Sequence, residues 1–104
     1  MKLTLSKRGS VLTAGFSGEL DQHSAVQARE LIDREIGSGG VNRVVFDLSG
    51  LSLMDSAGIG VILGRYRKLS ERGGSIDVVN AQRSVERVLR MSGVYKLCTE
   101  RRGR

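Results

Sequence analysis

The sequence predicts a single α/β domain: a mixed, mostly parallel β-sheet with an antiparallel amino-terminal edge strand, packed against helices. Three observations predict it. The chain opens with two short segments in which apolar and polar residues alternate. β-branched runs then alternate with stripes of helical period. The breaks between them are marked by glycine and never by proline, which is absent. Strands alternating with helices imply right-handed crossovers and parallel pairing, and a tight link between the first two strands implies a hairpin.

Leu3 and Leu5 alternate with polar neighbours in the first strand, which turns at Arg8-Gly9-Ser10. Leu12, Ala14 and Phe16 share one face of the second, with Thr13 on the other. A helix is predicted from about Ser24 to Ile36. Ser24 and Gln27 read as its capping box, and Ala25, Ala28, Ile32 and Ile36 as its apolar stripe. Gly37-Ser38-Gly39-Gly40 ends it. Val44-Val45-Phe46, closed by Asp47 and Leu48, reads as a strand covered on both faces. A loop leads to a second helix from about Ser56 to Glu71, with Ile59, Ile62, Tyr66 and Leu69 inward and Gly73-Gly74 as its stop. Ile76 to Val79 is a further strand. A third helix runs from about Gln82 to Met91, with Val85, Val88 and Leu89 inward and Gly93 beyond its end; Val94 to Thr99 adds a last short strand.

A chain of 104 residues buries about two-thirds of its unfolded surface, enough for one core. Hydrophobic residues at 39% and charged residues at 27% are ordinary for a globular domain and exclude a collagen or a disordered tail. No apolar run approaches the roughly 20 residues of a membrane helix. MKLTLSKRGS lacks the apolar stretch of a signal peptide. The expectation is a cytoplasmic protein with no membrane partner. One Cys (Cys98) and one His (His23) cannot supply the about four ligands of a zinc site, and a lone Cys gives no disulfide framework. A Ser-His-Asp triad could use only His23, and no G-x-S-x-G occurs. No metal and no catalytic residue is expected. The net charge of +6 favours acidic partners. Apart from Arg101, Arg102 and Arg104, in a basic tail over about residues 100–104, the cations are scattered. Aromatics at 4% supply no base-stacking platform, so direct nucleic-acid binding is not expected.

Three stretches could carry chemistry. Gly58-Ile59-Gly60-Val61-Ile62-Leu63-Gly64 has the look of a dinucleotide fingerprint, but such glycines must form the turn directly after a strand. Here the strand is predicted to end near Leu48, so the glycines fall ten or more residues later, inside a helix. Close packing of that helix is the better reading, and no cofactor is expected. Leu53-Met54-Asp55-Ser56-Ala57-Gly58 starts the second helix. Ser56 suits an N-cap, and equally a modifiable hydroxyl, because free amides and a positive dipole end tolerate a phosphate. Leu53, Met54 and Ile59 give it apolar surroundings. Gly18-Glu19-Leu20-Asp21-Gln22-His23 lies between the second strand and the first helix. Asp21 is a turn residue or a site residue, and His23 is exposed. A pair of loops, each leaving the end of a strand, would bring Asp21 and Ser56 to one rim of the sheet, where sites in open sheets collect.

Gly18-Glu19-Leu20-Asp21, Asp55-Ser56-Ala57-Gly58, the run from Gly58 to Tyr66 and Met91-Ser92-Gly93 occur in this order over nearly the whole chain. Together they resemble the anti-sigma factor antagonists of the STAS domain family, most of all its sporulation members. The resemblance implies a mixed sheet flanked by helices, no catalytic activity, and binding to an anti-sigma factor that is also a serine kinase, which frees a sigma factor. It implies phosphorylation at Ser56, loss of productive binding, and recovery through a PP2C-type phosphatase. It puts Asp21 beside the acceptor and the partner face at Asp21, Asp55, Ser56, Ala57, Gly58 and Ile59. Relatives often have a second serine where Ala57 stands, continue into a final helix beyond the position of Arg104, and are less basic. The alternatives are an interaction module of a stressosome-type or lipid-transport complex, a transporter tail, or a small nucleotide-binding protein.

Overall fold

A computed structural model describes residues 1–101. β1 (Lys2–Arg8) and β2 (Val11–Leu20) form an antiparallel hairpin. Its two-residue loop is Gly9-Ser10, and Gly9 has φ +60°, the left-handed conformation such tight turns demand. α1 (Gln22–Gly37), β3 (Arg43–Met54), α2 (Ser56–Ser70), β4 (Ser75–Val79) and α3 (Arg83–Ser92) follow. After a short 3-10 turn at Val94–Lys96 comes β5 (Thr99–Arg101). The sheet order is β1-β2-β3-β4-β5, and every pair after the first is parallel.

Each crossover therefore steps in the same direction along the sheet. Right-handed connections then place all three helices on one face. Leu12, Ala14 and Phe16 of β2, Val44, Phe46 and Leu48 of β3, and Ile76 and Val78 of β4 meet the inward residues of the helices in one apolar cluster. Phe16 and Phe46 stack at 5.8 Å across the strands.

Four sequence expectations need correction. β3 does not end near Leu48 but runs to Met54. Its pairing with β4 stops at Asp47, and its second half pairs with β2 alone. Two register shifts, between Gly15 and Ser17 and between Gly18 and Glu19, each put an extra residue on β3. Leu48, Leu51 and Met54 therefore turn inward at every third position, and the strand loses the period of two by which strands are recognised. Val45 is buried, but it lies outside the helix-packed cluster, on the sheet's other face. The strand predicted at Val94 to Thr99 is the 3-10 turn followed by β5. Glu100 and Arg101 of the expected tail belong to that strand, pairing with Val78 and Val79; residues 102–104 lie outside the described residues.

The inward stripe of α2 is also not purely apolar. Arg65 is 4% exposed, and its Nε lies 2.8 Å from Asp33 Oδ1 on α1. Burial lowers the pKa of this guanidinium and the Asp33 charge opposes the shift, so the carboxylate keeps a buried charge affordable. Asp33→Ala, which strands that charge, is expected to cost about 3 kcal/mol in denaturant unfolding, whereas Arg65→Met is expected to cost less, because Asp33 is partly exposed and keeps Lys68 at 3.8 Å.

Glycines of α2 divide by environment. A Cβ on Gly58 would come within 2.6 Å of Met54 Cγ and 3.1 Å of Leu20 Cδ2, whereas one on Gly60 would meet nothing within 4 Å. Gly60→Ala should thus stabilise the domain by about 0.5–1 kcal/mol. Gly58→Ala should destabilise it by about 1–2 kcal/mol, because overpacking outweighs the gain in helix propensity. Thermal unfolding of the two variants checks the opposite signs.

Candidate functional site: the rim at the ends of β2 and β3

β2 and β3 are parallel neighbours and end level with each other: Leu20 pairs with Met54, and Asp55 N donates to Leu20 O at 3.2 Å. The next residue of each strand is an aspartate, and each aspartate caps the helix that follows. Asp21 Oδ1 accepts from Ser24 N at 2.9 Å, and Ser24 Oγ accepts from Asp21 N at 3.0 Å. The capping box of α1 is therefore Asp21 and Ser24, not Ser24 and Gln27. Asp55 Oδ1 accepts from Ala57 N at 2.8 Å.

Asp55 thus takes the capping role that the sequence allowed for Ser56. Ser56 is the first residue of α2, exposed, and its hydroxyl forms no hydrogen bond among the described residues. The supply of free amides is smaller than the sequence suggested. Ala57 N is bound to the Asp55 side chain, and Gly58 N and Ile59 N donate to Asp55 O. A group attached to Ser56 would meet the positive end of the helix dipole but few unengaged donors.

Of the residues expected at a partner face, Asp21, Asp55 and Ala57 are partly exposed and Ser56 is exposed. Gly58 and Ile59 are buried, so they seat α2 on the sheet and present no side chain to a partner. The strand end lies four residues before Gly58, not ten, but Gly58, Gly60 and Gly64 are all inside α2 and form no phosphate-binding turn. Leu53 is 48% exposed and adds an apolar element that the sequence placed near Ser56. Between Ala25, Val26 and Arg29 of α1 and Ala57, Gly60 and Val61 of α2 lies a groove of about 310 Å³. An open cleft of about 520 Å³ lies on the other side of Asp21, with Glu19 and the exposed His23 in its wall.

The rim carries three carboxylates, Glu19, Asp21 and Asp55, with Arg29 in the groove beside Ala57, although the chain as a whole carries +6. The hydrogen bond from Ser24 N, then that from its hydroxyl, holds the Asp21 carboxyl below its ordinary value of 3.8. Among the described residues, no group of three or more His, Cys, Asp or Glu side chains could hold a metal ion. Cys98 is buried, and burial, followed by the charge of Asp77, pushes its thiol up to about 11, so it is no nucleophile at neutral pH. No helix among the described residues is long and apolar enough to cross a membrane.

A folded-state pKa below the unfolded value adds stability above the unfolded value, and this is lost as pH falls through the lowered one. Asp21→Ser keeps a capping oxygen and removes the titration. It is expected to flatten the fall in melting temperature as pH drops below the ordinary carboxylate value, while leaving neutral-pH stability little changed.

A STAS domain matches residues 2–101. The chain is similar to an anti-sigma F factor antagonist of Paenibacillus polymyxa, 36% identical over 93% of this chain and 83% of that one. Its fold is similar to that of the anti-sigma factor antagonist SpoIIAA in its unphosphorylated form, with a TM-score of 0.87, 30% identity, and coverage of 96% of this chain and 88% of the other. The Bacillus SpoIIAA structure in the phosphorylated form matches at TM-score 0.78 and 29% identity, covering 96% and 91%. The chain belongs to the family of STAS-domain anti-sigma factor antagonists.

Proposed function

We propose that this protein is an anti-anti-sigma factor switched by phosphorylation at Ser56. In its unmodified form it binds an anti-sigma factor that is also a serine kinase, and so releases a sigma factor. The kinase transfers a phosphate to Ser56, binding is lost, and a PP2C-type phosphatase restores the active form. The protein is the regulated partner and catalyses nothing itself. It acts in the cytoplasm.

The observation that carries this reading is the position of the Ser56 hydroxyl. It is exposed, spared from capping by Asp55, and set on a rim with Leu53 and Ala57. A kinase can reach it without unfolding α2. Asp21, which follows the adjacent strand, would orient the kinase at the acceptor. Ala57, where relatives often have a second serine, leaves Ser56 as the sole acceptor at this position. The similar SpoIIAA is known in unphosphorylated and phosphorylated forms, which supports the same pair of states here.

A phosphoserine carries about −1.5 to −2 charges. The amides of Ala57, Gly58 and Ile59 are already engaged by Asp55, and Asp55 itself precedes Ser56 while Asp21 follows the adjacent strand. In a desolvated interface an uncompensated charge costs about 3–5 kcal/mol, which is a loss of two to three orders in affinity. No change of fold is needed for a switch of that size.

Intact mass after incubation with ATP and the anti-sigma kinase tests the reading. One added phosphate is expected, absent in Ser56→Ala. A stable complex without phosphate would mean a STAS binding module regulated by other means. Neither phosphate nor complex would favour the stressosome-type and lipid-transport roles.

A further inference from the structure

α3 carries cations where its own electrostatics disfavour them. Arg83 is the first residue of the helix and Arg87 stands one turn further on. The amino-terminal end of a helix is its positive pole and favours carboxylates. Like charges at this spacing repel. Both arginines are exposed, and neither has an ion-pair partner among the described residues. Arg90, by contrast, pairs with Glu86 at 3.2 Å. A cleft of about 380 Å³ opens at Arg83, Ser84 and Arg87. One more turn along the same face, Met91 is 83% exposed. Departures from local rules of this kind collect where a surface is kept for function.

The start of α3 is fixed against the rim. Gln82 Nε2 donates to Ser49 O at 2.8 Å, and Ser84 Oγ donates to Ser52 O at 3.1 Å. Both acceptors lie on the half of β3 that extends past β4 and ends at Met54, directly before Asp55. The basic start of α3 is therefore anchored to the same strand that leads to the acidic rim at Asp55.

We propose that the outer face of α3, through Arg83 and Arg87, docks an acidic stretch of the same protein that binds at Ser56; this rests on the antagonist reading. The charge arrangement selects the occupant. A partner with basic groups opposite Glu19, Asp21 and Asp55 and acidic groups opposite α3 can dock in one orientation only. A nucleic acid would bring negative charge to both regions and be repelled at the rim. Phosphorylation deepens the negative charge of the rim and leaves α3 unchanged, so α3 sets encounter rate and orientation while Ser56 sets the switch.

The test is association of the full chain with the anti-sigma kinase at low and high ionic strength, using Arg83→Glu/Arg87→Glu and the neutral Arg83→Gln/Arg87→Gln. The reversal variant is expected to associate about tenfold more slowly at low salt, with the gap closing as salt rises. The neutral variant should fall between. The melting temperature of the free reversal variant should be unchanged or higher, because glutamate suits that end of the helix. Wild-type association rates in both variants would overturn the proposal while leaving the antagonist reading intact. A lowered melting temperature in both variants would mean that the arginines serve the fold, and would overturn it too. So would variants that bind the kinase normally but lose affinity for a short DNA duplex. Failure of the wild-type protein to bind the kinase would remove the antagonist reading itself, and this proposal with it.

Discussion

The level ending of β2 and β3 is the constraint on which the rest of the site depends. Leu20 pairs with Met54, Leu20 O holds Asp55 N, and the two side chains form the seat that only a residue without a Cβ can approach at Gly58. With that register set, the next residue of each strand must start a helix, and an aspartate does so in both cases. A carboxylate suits a helix amino terminus, since it satisfies an orphan amide and meets the positive end of the dipole. Because Asp55 fills that role, Ser56 is relieved of it. The free hydroxyl is a consequence of the strand register and the cap, not of any flexibility in the loop.

The same arrangement explains why a small covalent change there would have a large effect. The amides of Ala57, Gly58 and Ile59 are committed to Asp55, and the rim already holds Glu19, Asp21 and Asp55. Added negative charge there meets the positive end of the α2 dipole but adds to the carboxylates already on the rim, and a partner docked over Ser56 must desolvate it. A phosphate placed beside the arginines of α3 would instead be compensated and would change little. Location within the charge pattern thus matters as much as the modification.

Much of the fold was legible in the sequence because its period signals are clean. The stripe Ala25, Ala28, Ile32, Ile36 and the glycine stops at Gly73 and Gly93 gave helices within a few residues of their observed ends. The alternation around Leu3 and Leu12 gave the hairpin. The shared rim of Asp21 and Ser56 followed from topology alone. The distal half of β3 was not legible, because two bulges replace its period of two with one of three. Ser24 and Gln27 fit the Ser/Thr-x-x-Glu/Gln pattern and Asp21 and Ser24 do not, so pattern alone puts the cap of α1 one turn late; Asp21, a strong N-cap residue, is the available signal. Arg65 falls between Ile62 and Leu69 on the inward stripe, so its burial could be read from spacing, but its partner Asp33 lies on another helix and could not. The electrostatic misfit of Arg83 and Arg87 emerges only once the first residue of α3 is fixed.

The central claim is that charge on Ser56 decides whether the rim can be docked. The most direct measurement is calorimetric titration of the anti-sigma kinase with the unmodified protein and with the protein phosphorylated at Ser56. The account predicts a loss of about two to three orders in affinity on phosphorylation, with the fold of the free protein unchanged. Equal affinities for the two forms would contradict it.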